Sequence, residues 1–477
     1  MDYDYIVIGG GPCGLTLALK LSEIKKKVLL VDKNDSLGGC HRVTRKDGLF
    51  TEHGPRVYSS AYLNTKRILE SLGTTWDETF TPYKFNFSDI GGTTYQNLRF
   101  SEKIKFFLQY ILLFVGIEKR HTSVKDFADQ NNFSSASKDY LDRICRLTDG
   151  AGSDRYTLYQ FLQLINENFF YRLYQPRNPN DLFLFRLWEE RLKENEVTIL
   201  KNTTAISFQN NTVFTSNGNF SGKQILICIP PKPFLALLSS ASNISSASNI
   251  SNPISTVAPT WNNVDVKTWS ETNSYVIDIP ITFHWKNKLN LPKVWGFPRD
   301  DWAIAFIILS DYMKAEENYN FVISTCITRV NAKSSFTNKT AMESTEEEMI
   351  NEVFRQLKIS FPSLPLFDTA LIHKSTLSEE DTAFVETAKG QFLPMRNNEN
   401  KNLFYIGTQN GNSFYSFTSM ESAITNALVA LKTLDPQFEN IPILKPLTLR
   451  DLVYLILLII FILIIIISLK NERNRSV

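Results

Sequence analysis

The fold of this chain is decided by residues 5–32, which read YIVIGGGPCGLTLALKLSEIKKKVLLVD. The segment opens with four apolar residues, a pattern typical of a strand buried in a parallel sheet. Residues 9–14 (GGGPCG) fit the pattern G-x-G-x-x-G, residues 15–21 predict a helix, and residues 28–31 predict a second strand. A strand, a glycine turn, a helix and a second strand together predict a doubly wound, Rossmann-like α/β sheet.

Each glycine of this G-x-G-x-x-G turn has a physical task. Gly9 allows the tight turn, Gly11 lets backbone approach a pyrophosphate, and Gly14 lets helix and strand pack closely. The N-terminus of the helix offers unpaired N–H groups and a positive dipole end to phosphates. Asp32 follows Gly14 by eighteen residues and can accept hydrogen bonds from ribose hydroxyls. We therefore expect a dinucleotide-binding site here.

Two later segments narrow the choice of cofactor for this dinucleotide-binding site. Residues 33–42 read KNDSLGGCHR, and residues 50–57 read FTEHGPRV. Together they resemble the extended motif of the flavin-containing amine oxidase, protoporphyrinogen oxidase and phytoene desaturase superfamily of FAD-dependent oxidoreductases. In that superfamily the Gly-Gly turn contacts the flavin's phosphates and ribityl chain, and an arginine supports it. This chain departs from the pattern, because Cys40 and His41 separate Gly39 from the arginine.

The segment Gly54-Pro55-Arg56 looks most like that of the protoporphyrinogen oxidases, and UDP-galactopyranose mutases are also similar here. Gly-Pro makes a rigid turn with exposed backbone. The resemblance implies that Arg56 places positive charge near the flavin's N1–C2=O side, where it would stabilise the anionic reduced flavin.

The resemblance returns further along the chain. Residues 195–208 look like a strand pair that meets the adenine ring, with Ala205 where a valine is usual, and residues 224–231 like a strand that ends in proline. Near the end, a strand runs into Gly407, and a helix that begins at Met420 would point its N-terminus at the flavin O2 region.

The resemblance implies FAD, bound non-covalently because the loop of residues 409–419 holds no cysteine. The residues that it assigns to cofactor binding are Gly9, Gly11, Pro12, Cys13, Gly14, Asp32, Lys33, Gly39, Arg42, Gly54, Pro55, Arg56, Ala205, Gly407 and Met420. Phe414 and Tyr415 would lie beside the flavin or pack beneath its loop. The sequence assigns no catalytic residue, because its five histidines are scattered, and it predicts no metal site.

The same resemblance predicts a discontinuous FAD-binding domain with an inserted α+β substrate domain. The expected boundaries are 1–80, 190–238 and 390–436 for the first and 81–189 and 239–389 for the second. Within the second, residues 273–284 and 320–329 predict strands and residues 340–358 an amphipathic helix.

Three segments stand apart by composition. Residues 452–469 carry no charge and would form a helix about 27 Å long, so we expect a single transmembrane helix that anchors a largely cytosolic protein. Residues 104–117 are too short to span a bilayer, and we interpret them as a core helix rather than a face lying in the membrane interface. Residues 239–250 repeat SSASNI and predict a flexible surface loop.

These patterns favour a membrane-anchored FAD-dependent oxidoreductase that takes a hydride from a C–N or C–C bond of a small molecule. They do not identify that molecule, and the terminal anchor keeps a lipophilic substrate open. The alternatives are a redox-neutral flavin mutase resembling UDP-galactopyranose mutase, a non-catalytic membrane-tethered flavoprotein and, least favoured, an NAD-only dehydrogenase. A net charge of +2 gives no case for a nucleic-acid partner.

Overall fold

The computed structural model describes residues 2–52, 54, 56–83, 98–114, 116–247, 260–292, 295–296, 300–373, 383–385, 392–415 and 418–475. Within those ranges the helices, numbered along the chain, are α1 (Pro12–Glu23), α2 (Leu63–Ser71), α3 (Trp76–Thr79), α4 (Phe100–Phe114), α5 (Val124–Gln130), α6 (Ser135–Asp149), α7 (Leu158–Phe170), α8 (Leu184–Glu194), α9 (Pro231–Ala247), α10 (Val266–Glu271), α11 (Glu346–Ser360), α12 (Met420–Leu434) and α13 (Leu449–Arg475).

The main sheet of the described chain has seven strands. They are β1 (Tyr3–Ile8), β2 (Val28–Val31), β8 (Thr198–Leu200), β9 (Ala205–Gln209), β10 (Thr212–Thr215), β11 (Gly218–Ile227) and β21 (Leu403–Tyr405). The order is β8-β2-β1-β11-β10-β9, and β21 pairs with the second half of β11. All pairs among β8, β2, β1, β11 and β21 are parallel, whereas β9 and β10 form antiparallel pairs. This is the Rossmann-like architecture that the glycine turn predicts.

A second, antiparallel sheet has the order β16-β17-β18-β15-β19. Its strands are β15 (Ile279–Trp285), β16 (Trp295–Gly296), β17 (Ile304–Ile308), β18 (Phe321–Ile327) and β19 (Thr369–Ile372). The remaining strands form small pairs and a three-stranded sheet: β3 (Val43–Lys46) with β4 (Leu49–Glu52), β5 (Tyr58–Ser59) and β6 (Phe80–Pro82) with β7 (Leu173–Pro176), β12 (Thr260–Trp261) with β13 (Val264–Asp265), and β14 (Ser274–Val276) with β20 (Ala383–Val385).

The central strands are apolar on both faces because both faces are covered by helices. In β1, Tyr5 and Val7 face a core that includes α1 and α12, whereas Ile6 and Ile8 face a second core that includes α9 and α10. The same alternation continues in β2. The uninterrupted apolar runs of the sequence therefore follow from the two-sided burial of these strands.

Three sequence predictions differ from the structure. The strands within residues 195–208 do not pair with each other, since β8 pairs with β2 and β9 pairs with β10. Residues 239–247 of the SSASNI segment are helical rather than a loop, because α9 extends to Ala247. Residues 248–250 of the segment lie outside the described chain. Residues 104–114 belong to α4, and the prediction of a core helix holds for one face only: Phe106 is buried and Leu113 packs against the core, whereas Ile104, Phe107, Leu108 and Ile111 are exposed.

Glu421 in α12 caps the N-terminus of α2 and so links the two helices. Its buried carboxylate in the first turn of α12 accepts hydrogen bonds from the backbone N–H groups of Asn64 and Thr65, both at 2.9 Å, at the start of α2. The side chains of the same two residues donate to it at 2.8 and 2.7 Å. Burial raises the pKa of Glu421, and these hydrogen bonds oppose that rise.

We expect Glu421→Ala to lower the free energy of unfolding by at least about 2 kcal/mol, because it leaves several buried donors unpaired. Glu421→Gln should lose less, since its amide oxygen still accepts. Thermal unfolding of the full chain measures both, with the exposed Glu439→Ala as the matched control. Equal melting temperatures for Glu421→Ala and the control would contradict the cap.

Candidate functional site

The glycine turn connects β1 to α1 at the carboxyl edge of the main sheet. Gly9 has φ +109°, and a Cβ there would lie 2.6 Å from the carbonyl oxygen of Cys228. A Cβ on Gly14 would lie 1.9 Å from the carbonyl oxygen of Gly9. Both positions therefore accept only glycine in this backbone arrangement. They set the close packing of α1 on β1, as the sequence predicts.

Gly11 and Gly39 bring two loops into backbone contact, since a Cβ on Gly39 would lie 3.1 Å from the Cα of Gly11, and we call this pair of glycines the cradle. The N–H group of Gly38 donates to the carbonyl oxygen of Gly10 at 2.8 Å, which holds the second loop against the first. A Cβ on Gly11 would meet only the Cα of Gly39, at 3.8 Å. Two stretches of backbone thus face each other without side chains between them, at the start of α1. This geometry fits a pyrophosphate, which backbone N–H groups and a helix N-terminus would hold.

Asp32 is fixed at the end of β2. Its Oδ2 accepts from the N–H group of Gly10 at 2.6 Å, and its Oδ1 accepts from the backbone and side-chain nitrogens of Asn34 at 2.8 and 2.9 Å. A carboxylate accepts about four hydrogen bonds, so capacity remains for a ribose hydroxyl. Thr203 donates its backbone N–H to the carbonyl oxygen of Asp32 at 2.9 Å, which brings the start of the segment around Ala205 next to it. Lys33 follows at an exposed position.

The end of β21 lies beside the glycine turn. The Sγ of Cys13 is 3.5 Å from the carbonyl oxygen of Ile406 and 3.9 Å from the Sγ of Cys228. Gly407 follows, and its N–H group donates to the Oδ1 of Asn410 at 2.8 Å. Cys13 is therefore a packed thiol that joins the turn to the last strand.

The N-terminus of α12 approaches the same region, because α12 packs along α1. Met420, its first residue, is buried, and the hydroxyl of Ser419 caps the helix by accepting from the N–H group of Ser422 at 3.0 Å. Just before this helix, Tyr415 is buried and packs on Phe414, with ring centroids 5.2 Å apart.

Arg42 and Arg56 differ in their surroundings. Arg42 follows a short 3-10 turn and donates its backbone N–H to the carbonyl oxygen of Gly39 at 3.1 Å. Arg56 is half-buried, and its guanidinium donates to the carbonyl oxygen of Cys40, so it is not a free surface arginine. Pro55, which the sequence also assigns to the site, lies outside the described residues.

A buried polar cluster surrounds Arg56. Burial raises the pKa of Glu52 to about 7, against the charge of Arg56. Burial also raises the pKa of Asp278 to about 7, against the charges of Arg146 and Arg56. Burial also raises the pKa of Tyr58 to about 12, again against Arg56. One oxygen of each carboxyl group, Oε1 of Glu52 and Oδ1 of Asp278, is buried without a hydrogen-bond partner in the described part of the chain. We call Glu52, Arg56, Tyr58 and Asp278 the acid cluster.

The acid cluster lies where β4 meets the second sheet. The hydroxyl of Thr282 in β15 donates to that of Thr51 at 3.1 Å, and a Cβ on Gly54 would lie 3.6 Å from the Sγ of Cys326 in β18. Sequence reasoning missed Glu52 and Asp278. A signal was present for both, since each is a carboxylate beside an apolar strand, where an unpaired charge is costly.

Comparisons with known proteins agree with this architecture. Residues 7–72 match a family described as an NAD(P)-binding Rossmann-like domain. The FAD-dependent oxidoreductase dbaF of Emericella nidulans is 40% identical over 60 residues, which are 12% of this chain and 13% of that relative. The chain therefore matches only a small part of this curated relative's length.

Two solved structures show a likeness of fold over 92% of the chain. Cyclohexylamine oxidase from Brevibacterium oxydans IH-35A has a TM-score of 0.62 at 13% identity, covering 92% of this chain and 100% of that chain. A protein from Exiguobacterium sp. 255-15, provisionally described as a protoporphyrinogen oxidase, has a TM-score of 0.61 at 12% identity, covering 92% of this chain and 99% of that chain. The resemblance read from the motifs is confirmed at the level of the fold.

The acid cluster predicts a pH-dependent stability. The pKa of Glu52 is about 7 in the folded state and about 4.5 in the unfolded state. Between these two pH values Glu52 is therefore protonated in the folded protein and ionised in the unfolded chain. Stability must therefore fall as pH rises through this window, by up to about 3 kcal/mol. Glu52→Gln cannot ionise, so we expect its melting temperature to rise relative to wild type from pH 5 to pH 7.5 and to level off above.

Thermal unfolding of the full chain at several pH values tests this expectation. The exposed Glu317→Gln serves as the matched control and should follow wild type throughout. A constant difference between Glu52→Gln and wild type would show that Glu52 does not keep a proton in the folded state.

Proposed function

We propose that this chain is an FAD-dependent oxidoreductase of the amine oxidase and protoporphyrinogen oxidase type, which takes a hydride from a C–N or C–C bond of a small molecule. The observation that carries the proposal is the cradle of Gly11 and Gly39, whose open backbone lies at the start of α1. Asp32 is held at the same edge by Gly10. The fold shared with cyclohexylamine oxidase over 92% of the chain supports it.

The proposed site holds FAD non-covalently along this edge. We assign its binding to the residues that the sequence indicates: Gly9, Gly11, Pro12, Cys13, Gly14, Asp32, Lys33, Gly39, Arg42, Gly54, Pro55, Arg56, Ala205, Gly407 and Met420. When bound, FAD would supply the hydride-accepting chemistry. The role of the chain is to orient it, with the pyrophosphate at the glycine turn and the adenosine ribose at Asp32.

The acid cluster would serve the reacting end of the same site. A carboxyl group with a pKa of about 7 can both hold and release a proton at neutral pH, which is the property that general acid–base work needs. Arg56 would keep positive charge beside it. We propose Glu52 as the residue that holds or moves this proton at its unpaired Oε1.

At the domain level, we propose that residues 1–80, 190–238 and 390–436 bind FAD and that residues 81–189 and 239–389 form the substrate side. Under this division the acid cluster draws Glu52 from the first set and Asp278 from the second. A substrate held there would lie between the main sheet and the antiparallel sheet.

We also propose that α13 anchors the protein in a membrane as a single span, with the bulk of the chain in the cytosol. The stretch Leu449–Leu469 has 21 residues and a mean hydropathy of 3.5, and none of its apolar window is buried against the rest of the protein. At about 1.5 Å per residue it would extend about 32 Å, which matches the hydrocarbon thickness of a bilayer.

The first experiment is an absorbance spectrum of the purified full chain. We expect a flavin spectrum and release of intact FAD on heating, because the cofactor is bound non-covalently. A colourless, folded protein that takes up no added FAD would overturn the proposed function.

A matched pair of glycine variants tests the cradle. Gly11→Ala should fold normally, since its Cβ meets nothing closer than 3.8 Å, but the methyl group fills the cradle, and we expect FAD affinity to fall about tenfold or more. Gly14→Ala should lower the melting temperature as well, because its Cβ would lie 1.9 Å from Gly9 O. Fluorescence titration with FAD and thermal unfolding separate the two effects; wild-type affinity in Gly11→Ala would argue against the cradle.

A further inference from the structure

Two thiols meet beside the glycine turn. Cys13 is the second residue of α1, and Cys228 directly follows β11, the strand that pairs with β1. Their Sγ atoms are 3.9 Å apart, so the two sulfurs are in contact across the turn. Both thiols are free; Cys13 is buried, whereas Cys228 is partly exposed. The contact places two oxidisable groups at the edge where the pyrophosphate of the proposed cofactor would bind.

The two sulfurs are close enough to form a disulfide after a local movement. The S–S bond of a disulfide is about 2.05 Å long, so the sulfurs have to approach each other by about 1.9 Å. Rotation of the two side chains supplies part of this approach. The Sγ of Cys13 would then leave its present position 3.5 Å from the carbonyl oxygen of Ile406. The remaining approach has to come from the backbone on either side of the pair.

The backbone on both sides of the pair is already tightly packed. The N–H group of Cys228 donates to the carbonyl oxygen of Ile8 at 2.7 Å. The carbonyl oxygen of Cys228 lies against Gly9, where a Cβ would come within 2.6 Å of it. Gly14 brings α1 equally close to the other side of Gly9. Formation of the disulfide would therefore strain the glycine turn, because Cys13 and Cys228 approach each other only by moving backbone that contacts Gly9.

The oxidant for this bond would be hydrogen peroxide, which forms when molecular oxygen takes up the two electrons and two protons of the proposed reaction. One thiol is oxidised to a sulfenic acid while the peroxide is reduced and releases water. The second thiol then displaces the hydroxyl group as a second water, and the S–S bond forms. Burial raises the pKa of Cys228, and the contact with Cys13 adds to that rise, so we assign Cys228 to the second step and Cys13 to the first.

We propose that Cys13 and Cys228 are a redox-sensitive pair, whose oxidation to a disulfide distorts the glycine turn and lowers its affinity for FAD. Disulfides in cytosolic proteins are usually transient and redox-sensing or catalytic, which fits the cytosolic location proposed above. By linkage, bound FAD opposes the disulfide by the same factor by which the disulfide weakens FAD binding. The pair would thus lower flavin occupancy when peroxide accumulates. The inference concerns the regulation of the proposed FAD site and rests on the proposed function.

Treatment of the full chain with hydrogen peroxide, followed by alkylation of the remaining thiols, tests the pairing. Mass spectrometry of an unreduced digest should find a peptide pair in which Cys13 is joined to Cys228 with the loss of two hydrogen atoms. Cys40, the exposed thiol, should occur in no such link. A digest without the Cys13–Cys228 link, or one in which either thiol is joined to Cys40 instead, would overturn the inference and leave the proposed function standing.

Fluorescence titration with FAD tests the consequence of the bond. We expect oxidation of the wild-type chain to lower its affinity for FAD about tenfold or more, and reduction with dithiothreitol to restore it. Cys228→Ser keeps a small polar side chain but cannot form the disulfide, so its affinity should equal that of the reduced wild type before and after peroxide. Cys40→Ser is the matched control and should lose affinity on oxidation as the wild type does.

The outcomes separate this inference from the proposed function. Equal FAD affinities of the reduced wild type and of the wild type linked through Cys13 and Cys228 would overturn the inference alone. A reduced wild type that binds no FAD would overturn the proposed function and the inference together. Should Cys228→Ser fail to fold, the recovery of affinity in the wild type on reduction still decides.

Discussion

At Gly14 a single added methyl group would lie 1.9 Å from the carbonyl oxygen of Gly9, so α1 packs on β1 only when no side chain stands between them. The rest of the site depends on this contact. It sets the direction of α1, whose first turn faces the open backbone of Gly11 and Gly39. It also places Cys13 against Ile406, which brings the last strand and the start of α12 to the same edge. One steric constraint near the N-terminus therefore organises residues more than 390 positions away.

The second constraint is electrostatic and lies where β4 meets the antiparallel sheet. His284 and Glu316 form a buried pair at 2.8 Å, and the Nε2 of His284 lies 3.2 Å from the carbonyl oxygen of Phe50 in β4. Glu52 and Asp278 each keep an unpaired buried oxygen, but so does Glu316, and the Nδ1 of His284 is also buried without a partner in the described chain. An unpaired buried atom therefore does not distinguish the two sets. What distinguishes them is the neighbour: His284 and Glu316 pair with each other, whereas Glu52 and Asp278 both feel the charge of Arg56.

Sequence reasoning succeeded where the signal is local. Strand β2 has the bounds that its four apolar residues predict. A strand that is buried on both faces consists of consecutive apolar residues, so its ends can be seen directly in the sequence. It failed at a low-complexity segment and where the outcome depends on distant partners. The SSASNI repeats resemble a loop, yet α9 runs through them to Ala247, and Ser239 and Ser240 donate their hydroxyls to the carbonyl oxygens of Leu235 and Ala236 one turn earlier. Glu52 and Asp278 are far apart in sequence, so only the folded chain brings them to the same arginine.

Helix α4 shows the same limit from the opposite side. Composition alone favours burial of residues 104–117, and only the fold reveals that Phe106 uses the inner face and leaves Phe107 and Leu108 outside. Phe106 packs on Phe161 of α7, and Gln163 of the same helix donates to the carbonyl oxygen of Phe414 at 2.8 Å, in the loop that precedes α12. Helix α7 thus connects the buried face of α4 to the loop that precedes α12, a contact between segments about 300 residues apart that no local pattern in the sequence reveals.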